Sequence, residues 1–414
     1  MKIYSEFELI LHLQLQICDT RYKIILMKLI ISIAVVFIAL FTCCRSRSVE
    51  LLQGEINEIT KRWMPDKRVG ICNFTLLKRG GEKMILEGES LIPEARNEVL
   101  ALLSSKGVSV IDSSVILPDT VQNEKYWGII DLSVANLRGK PAHSSELVSQ
   151  AIMGTPVRVL KEEGGWILIQ TPDKYIGWTN GSSVQRMSRH EIKNWENSDR
   201  IIFNDTYGIV YGDIKLTRVI SDLVAGAIIN KKSEIGDVSE VILPDGRNGY
   251  VSNQNWISFK QWKDTVSLIS DNMIAIGKRF LGFPYLWGGT SSKAMDCSGF
   301  VKTVCFLNGI ITERDASQQF RHGKEIDVTS GLDKLQKGDL LFFGSKQPFR
   351  VTHVGIYIGD SEVINSAGSV RIVSLDRNRA NFSDNLSSSL LGAKRIIGFT
   401  PEQGYLPVKL HNWY

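Results

Sequence analysis

"DCSGFVKTVCFLNGI", residues 296–310, decides the fold of the second half of this chain. Phe300, Val301, Val304 and Leu307 recur at the spacing that puts them on one face of a helix. Asp296 is a good N-cap, which places Cys297 in the first helical turn. There the helix dipole and unpaired N–H groups favour an anion, so a lowered thiol pKa is expected. Upstream, "SLISDNMIAIGKRFLG" (267–282) reads as a helix and "FPYLWGGT" (283–290) as a turn bounded by proline and glycine. Downstream, "KGDLLFFG" (337–344), "VTHVGIYIG" (351–359), "EVINSAG" (362–368) and "SVRIVSL" (369–375) read as strands. Helices followed by an antiparallel sheet predict an α+β domain over residues 266–400.

That domain carries the parts of a thiol hydrolase. The chain has six cysteines, Cys18, Cys43, Cys44, Cys72, Cys297 and Cys305, too few at regular spacing for a disulfide framework. On one helix Cys297 and Cys305 stand ~12 Å apart, beyond the ~7 Å reach of a bridge, so Cys297 reads as a free thiol. A thiol nucleophile needs a base, and the base needs an orienting group. Of six histidines, only His353 falls on a core strand of the cysteine's own domain. Alternation sets Val351, His353, Gly355 and Tyr357 on one face of that strand. Asn365 is the candidate orienter on one condition. If Gly359–Ser361 form a three-residue hairpin loop, Ile358 pairs with Glu362 and Gly355 with Asn365, which puts the amide on the face of His353; a two-residue loop turns it away. A zinc site is not expected, because Cys297, Cys305 and His353 lack paired spacing. "LWGGTSS" lacks the lysine of a phosphate loop, and no cofactor is expected.

Working outward, residues 125–187 and 199–262 read as short alternating strands with glycine and proline punctuation, the pattern of two small β-barrels in an internal repeat. Residues 50–120 mix strand-like and helical runs and predict a small α/β domain without a chemical motif. From Met27, a possible true start, "MKLIISIAVVFIALFTCC" sets one lysine before an apolar run about as long as an export-signal core, with a plain transmembrane anchor as the alternative. With 43% hydrophobic and 22% charged residues and a net charge of +5, the chain is globular and carries no nucleic-acid footprint.

"YLWGG", "DCSGFV", "KGDLLFF" and "THVGIYIG", in this order, resemble the NlpC-type papain-like cell-wall cysteine peptidases, and "VSQAIMGTPVRVL", "GGWILIQ" and "YIGWT" resemble bacterial Src-homology-three barrels. The resemblance implies a papain-like C-terminal domain preceded by two such barrels. The activity it implies is hydrolysis of the bond from the γ-carboxyl of D-glutamate to the diamino acid of peptidoglycan stem peptides, with Cys297 as nucleophile, His353 as base and Asn365 as third member. Tyr285 would line the site and help hold the oxyanion. Relatives with two barrels accept stem peptides with a free N-terminal L-alanine; by that likeness Glu146, Tyr175, Asp296, Ser298 and Asp315 would meet the ammonium, with Ala316 where relatives often hold serine. "LFTC" resembles a lipobox, which makes Cys43 the expected acylated residue, Cys44 its rival, and the protein an exported one anchored to the membrane by lipid. Two other readings stand beside this: a non-catalytic wall-binding lipoprotein, and an amidase or acyltransferase on the same scaffold.

Overall fold

The computed structural model describes residues 27–28, 49–78, 84–119, 124–398 and 404–414. The lipobox and Cys43 lie outside the described residues. The chain divides into two compact units, one holding residues up to Pro65 with Ile71–Val115, the other Asp66–Gly70 with Ile116–Tyr414.

In the first unit a helix over residues 49–63 accompanies a small sheet. Cys72–Lys78 pairs antiparallel with Met84–Ser90, which pairs parallel with Val110–Asp112. The crossover between the last two is helix Pro93–Ser105, opened by a proline whose missing N–H costs nothing in a first turn. Its Ala95, Val99 and Leu103 recur every fourth residue and bury against Ile56, Phe74, Leu76 and Leu86. The small α/β domain expected over 50–120 therefore needs one correction: Asp66–Gly70 belongs to the other unit. The reason is pairing, since Arg68 O accepts from Ile176 N at 2.8 Å and Val69 O from Gln170 Nε2 at 3.1 Å.

The second unit contains two seven-stranded sheets. Lettered a to g in chain order, the first comprises Trp127–Ile130, Val134–Arg138, Leu147–Ile152, Pro156–Glu163, Trp166–Gln170, Ile176–Asn180 and Val184–Met187. The second comprises Arg200–Phe203, Tyr207–Tyr211, Val219–Val224, Ile228–Ile235, Val238–Ile242, Asn248–Ser252 and Trp256–Ser258. Both follow the path g-a-d-e-f-b-c. In both, strand f runs into a single 3-10 turn, Gly181–Ser183 or Asn253–Asn255, whose first N–H groups are met by the Asn180 or Ser252 side chain.

Beyond them, helices Ser270–Arg279 and Cys297–Leu307 precede a six-stranded antiparallel sheet ordered Lys324–Ile326, Leu390–Arg395, Leu340–Lys346, Phe349–Gly359, Glu362–Ala367, Ser369–Ser374. The helix stripe read from the sequence is the buried one: Phe300, Val301, Val304 and Leu307 share a core with Leu340, Phe342, Val354, Ile356 and Ile364. Each such aliphatic or phenyl side chain contributes about 1.5–3 kcal/mol by leaving water. The opposite sheet face, with Leu341, Phe343, Tyr357 and Val363, packs on Leu335 and Leu386. Buried on both faces, the central strands hold their register tightly.

That register corrects the hairpin expected at Gly359–Ser361. Gly359 pairs with Glu362, so the loop has two residues, Asp360 and Ser361, both at positive φ (52° and 60°) as a primed turn requires. A bulge at Ile358 then takes up the odd residue, and pairing resumes with Tyr357 opposite Val363 and Ile356 opposite Ile364. Continued inward, the register brings Gly355 to Asn365, where a Cβ on Gly355 would meet the Asn365 Cβ at 3.0 Å.

Candidate active site

The Cys297–Leu307 helix begins at a crowded point. Asp296 caps it, its Oδ1 accepting from Gly299 N at 2.7 Å. Gly299 is required there because a Cβ would lie 1.9 Å from Gly289 O. The loop before the helix is pinned to the far strand pair: Tyr285 N donates to Gly368 O at 2.9 Å, and Ser366 Oγ to Met295 O at 2.8 Å. Tyr285 is thereby fixed in the loop just ahead of Cys297. Its hydroxyl is pushed up to about 12 by burial and by the neighbouring charges of Cys297 and Asp296, and stays protonated as a donor.

Cys297 is 7% exposed. Burial, followed by the Asp296 carboxylate, pushes its thiol up to about 11, against the smaller pull of backbone hydrogen bonds from Val354 and Ser298. This corrects the expectation of a lowered pKa: the helix N-terminus acts on the sulfur, but desolvation beside a carboxylate outweighs it. His353 is shifted the other way, below its ordinary 6.5, because burial disfavours the imidazolium more than the hydrogen bond to Asn365 favours it. Both shifts disfavour the charged forms of the thiol and the imidazole.

His353 Nε2 lies 3.1 Å from Asn365 Oδ1. An amide oxygen only accepts, so Nε2 carries the proton and Nδ1 is left as the basic nitrogen. Asn365 is fully buried, which holds the amide, and through it the ring, in one orientation.

Around this centre the remaining candidates are already engaged. Asp296 accepts from Arg314 at both oxygens (3.1 and 2.5 Å) and from Gly288 N at 2.9 Å. Ser298 Oγ accepts from Arg314 at 2.9 Å. Arg314 is 1% exposed, and its Nε reaches Ser149 Oγ in strand c of the first sheet at 3.2 Å. Glu146, just before that strand, accepts from Trp287 Nε1 at 2.9 Å. Tyr175, just before strand f, is buried and donates to Asp315 Oδ2 at 3.4 Å. Asp315 caps the short helix Ala316–Gln319 and also accepts from Arg68 Nη1 at 2.9 Å.

The structure thus pairs His353 with Asn365, brings the backbone N–H of Val354, the residue after His353, to the Cys297 thiol, and sets Asp296 and Ser298 on a buried arginine that reaches the first sheet. Two participants were missed in the sequence. Arg314 stands beside Asp315 in "TERDASQQ" with nothing to separate a buried arginine from a solvated one. Arg68 sits in "MPDKRVG", inside the stretch read as a small α/β domain without a chemical motif.

Known proteins resemble this chain over the same region. The NlpC/P60 family profile matches residues 282–388, and that of the bacterial SH3 domain matches residues 133–185. A gamma-D-glutamyl-L-lysine dipeptidyl-peptidase of Bacillus cereus is 30% identical over 242 residues, 56% of this chain and 71% of that protein. Dipeptidyl-peptidase 6 of Lysinibacillus sphaericus is 29% identical, over 63% of this chain and 96% of that one. The crystal structure of an NlpC/P60 family protein from Bacillus cereus superimposes with a TM-score of 0.57 at 26% identity, over 65% of this chain and 99% of that chain. With a thiol, an imidazole and an amide gathered inside the matched region, the chain belongs to the NlpC/P60 family and is a cysteine peptidase that acts on peptidoglycan.

Proposed function

We propose that this peptidase hydrolyses the γ-D-glutamyl to L-diamino acid bond of stem peptides that carry a free N-terminal L-alanine, in turnover or recycling of the wall. The observation that carries the reading is the His353–Asn365 hydrogen bond, which leaves Nδ1 as the base. Cys297 passes its proton to His353 as the sulfur attacks the γ-carbonyl carbon. Tyr285 donates to the oxyanion of the tetrahedral intermediate. The imidazolium returns the proton to the departing amine of the diamino acid, and water then hydrolyses the thioester with His353 again as base. Asn365 orients the ring throughout.

Preference for a free amine is supported by Glu146 and Tyr175, which the first sheet brings up to Trp287 and Asp315. A buried ammonium needs such partners, and an acetyl cap removes the charge they meet while adding bulk. The reading of 199–262 as a second barrel is supported by the strand path it shares with the first sheet. Export and acylation at Cys43 rest on the sequence alone; mass spectrometry of the mature N-terminus tests them.

The test of the activity uses L-Ala-γ-D-Glu carrying lysine or diaminopimelate, each free and N-acetylated, with products identified by mass. Cleavage after D-glutamate, with kcat/KM about 100-fold lower for the acetylated forms, is the expected result. Equal turnover of acetylated and free peptides would overturn the amine preference.

A further inference from the structure

We propose that Arg68 is a specificity-determining residue that competes with the substrate's α-ammonium for the Asp315 carboxylate. The inference rests on the amine-recognition reading above and deepens it.

Arg68 lies in a segment built into the second unit. Its carbonyl accepts from Ile176 N at the head of strand f, and the next carbonyl accepts from Gln170. Its guanidinium is clamped on one side by Asp66, through Nε at 2.8 Å and Nη2 at 2.7 Å. On the other side Nη1 donates to Asp315 Oδ2 at 2.9 Å and to Ser317 Oγ at 3.0 Å. Asp66 is held in turn by Gln318 at 3.1 Å and Arg321 at 2.9 Å. The oxygen that takes Arg68 is the one that Tyr175 reaches. From there the chain of contacts runs through Arg314, 3.9 Å from Asp315 Oδ1, to Ser298 beside the thiol.

Charge decides the consequence. Without Arg68, Asp315 would meet the incoming ammonium compensated only by Arg314 Nη1 at 3.9 Å, a guanidinium already shared with Asp296, and by the Tyr175 hydroxyl. With Arg68 in place that charge is already neutralised. The ammonium must share or displace a guanidinium that the fold supplies at no translational cost. Both partners are partly exposed, Arg68 by 37% and Asp315 by 29% at the side chain, so the competition is modest and reversible.

Steady-state kinetics of the full chain with free and N-acetylated L-Ala-γ-D-Glu-diamino acid peptide test this in Arg68→Met and Arg68→Lys. Arg68→Met should lower KM for the free peptide about fivefold, with the change in KM and not in kcat, and should leave KM for the acetylated peptide in place. Arg68→Lys keeps the charge and should stay near wild type. Should Arg68→Met fail to fold, Ser317→Ala removes one anchor of the guanidinium and should move KM in the same direction, about twofold. A raised or unchanged KM for the free peptide overturns the proposal, since Arg68 would then only hold Asp315 in place. If wild type prefers the free peptide and Arg68→Met does not alter that preference, only the role of Arg68 is lost. If neither protein prefers it, the amine reading falls as well.

Discussion

Desolvation governs the reacting residues. Burial pushes the thiol up to about 11 and the imidazole down from its ordinary value, so both shifts work against charge separation before substrate arrives. Because the base works in its neutral form, the acid limb of kcat/KM should lie below pH 6.5, the ordinary histidine value. Asn365 adds no titration of its own. A limb well above pH 6.5 in a rate profile would mean that the imidazolium is the resting form. Cys297→Ala and Cys297→Ser should abolish turnover while leaving the thermal melt in place, because only the thiol forms the acyl-enzyme. Cys305→Ala should retain most activity: that thiol is fully buried in the core, two helical turns along. Loss of activity in the Cys305 variant alone would reassign the nucleophile. Residue identities were legible at this scale; Cys297, His353 and Tyr285 announce themselves by context. Their ionisation was not, because a sequence shows the helix start that lowers a pKa and hides the burial that raises it.

At the scale of elements, the central strands and the Cys297 helix were readable because burial on fixed faces enforces their periodicity. The loop between His353 and Asn365 was read one residue too long. Nine residues separate Gly355 from Asn365; an odd number needs either a three-residue loop or a two-residue loop with a bulge, and local propensity does not choose between them. Both solutions put the amide on the histidine's face, so the site was legible through a mistaken turn. Arg314 was illegible, since its burial depends on strand c of the first sheet covering it. With 1% exposure and four hydrogen bonds to Asp296, Ser298 and Ser149, it neutralises the carboxylate that caps the catalytic helix. Arg314→Met should therefore destabilise the protein by about 3 kcal/mol, the cost of leaving a buried charge without its partner. Denaturant unfolding measures this, and a loss below about 1 kcal/mol would show that the backbone donors to Asp296 suffice.

Two seven-stranded sheets follow one path, and the first brings Glu146, Ser149 and Tyr175 to Trp287, Arg314 and Asp315. Their glycine landmarks correspond, with Gly154 and Gly226 both at positive φ (81° and 85°) and Gly177 and Gly249 both inside strand f. This framework was visible in the sequence as strand punctuation. Which copy would face the thiol came from the family likeness, which named Glu146 and Tyr175 of the first; strand punctuation alone does not choose, because that depends on packing between segments more than a hundred residues apart. The matching frame shows what each copy keeps at equivalent places. The residue ahead of strand c is Glu146 in the first and Arg218 in the second; the residue ahead of strand f is Tyr175 in the first and Arg247 in the second. An acid and a phenol at these corners of the first copy are two cations in the other. One frame thus presents opposite charge at matching corners, so a cation drawn to the first copy would be repelled at the same places by the second.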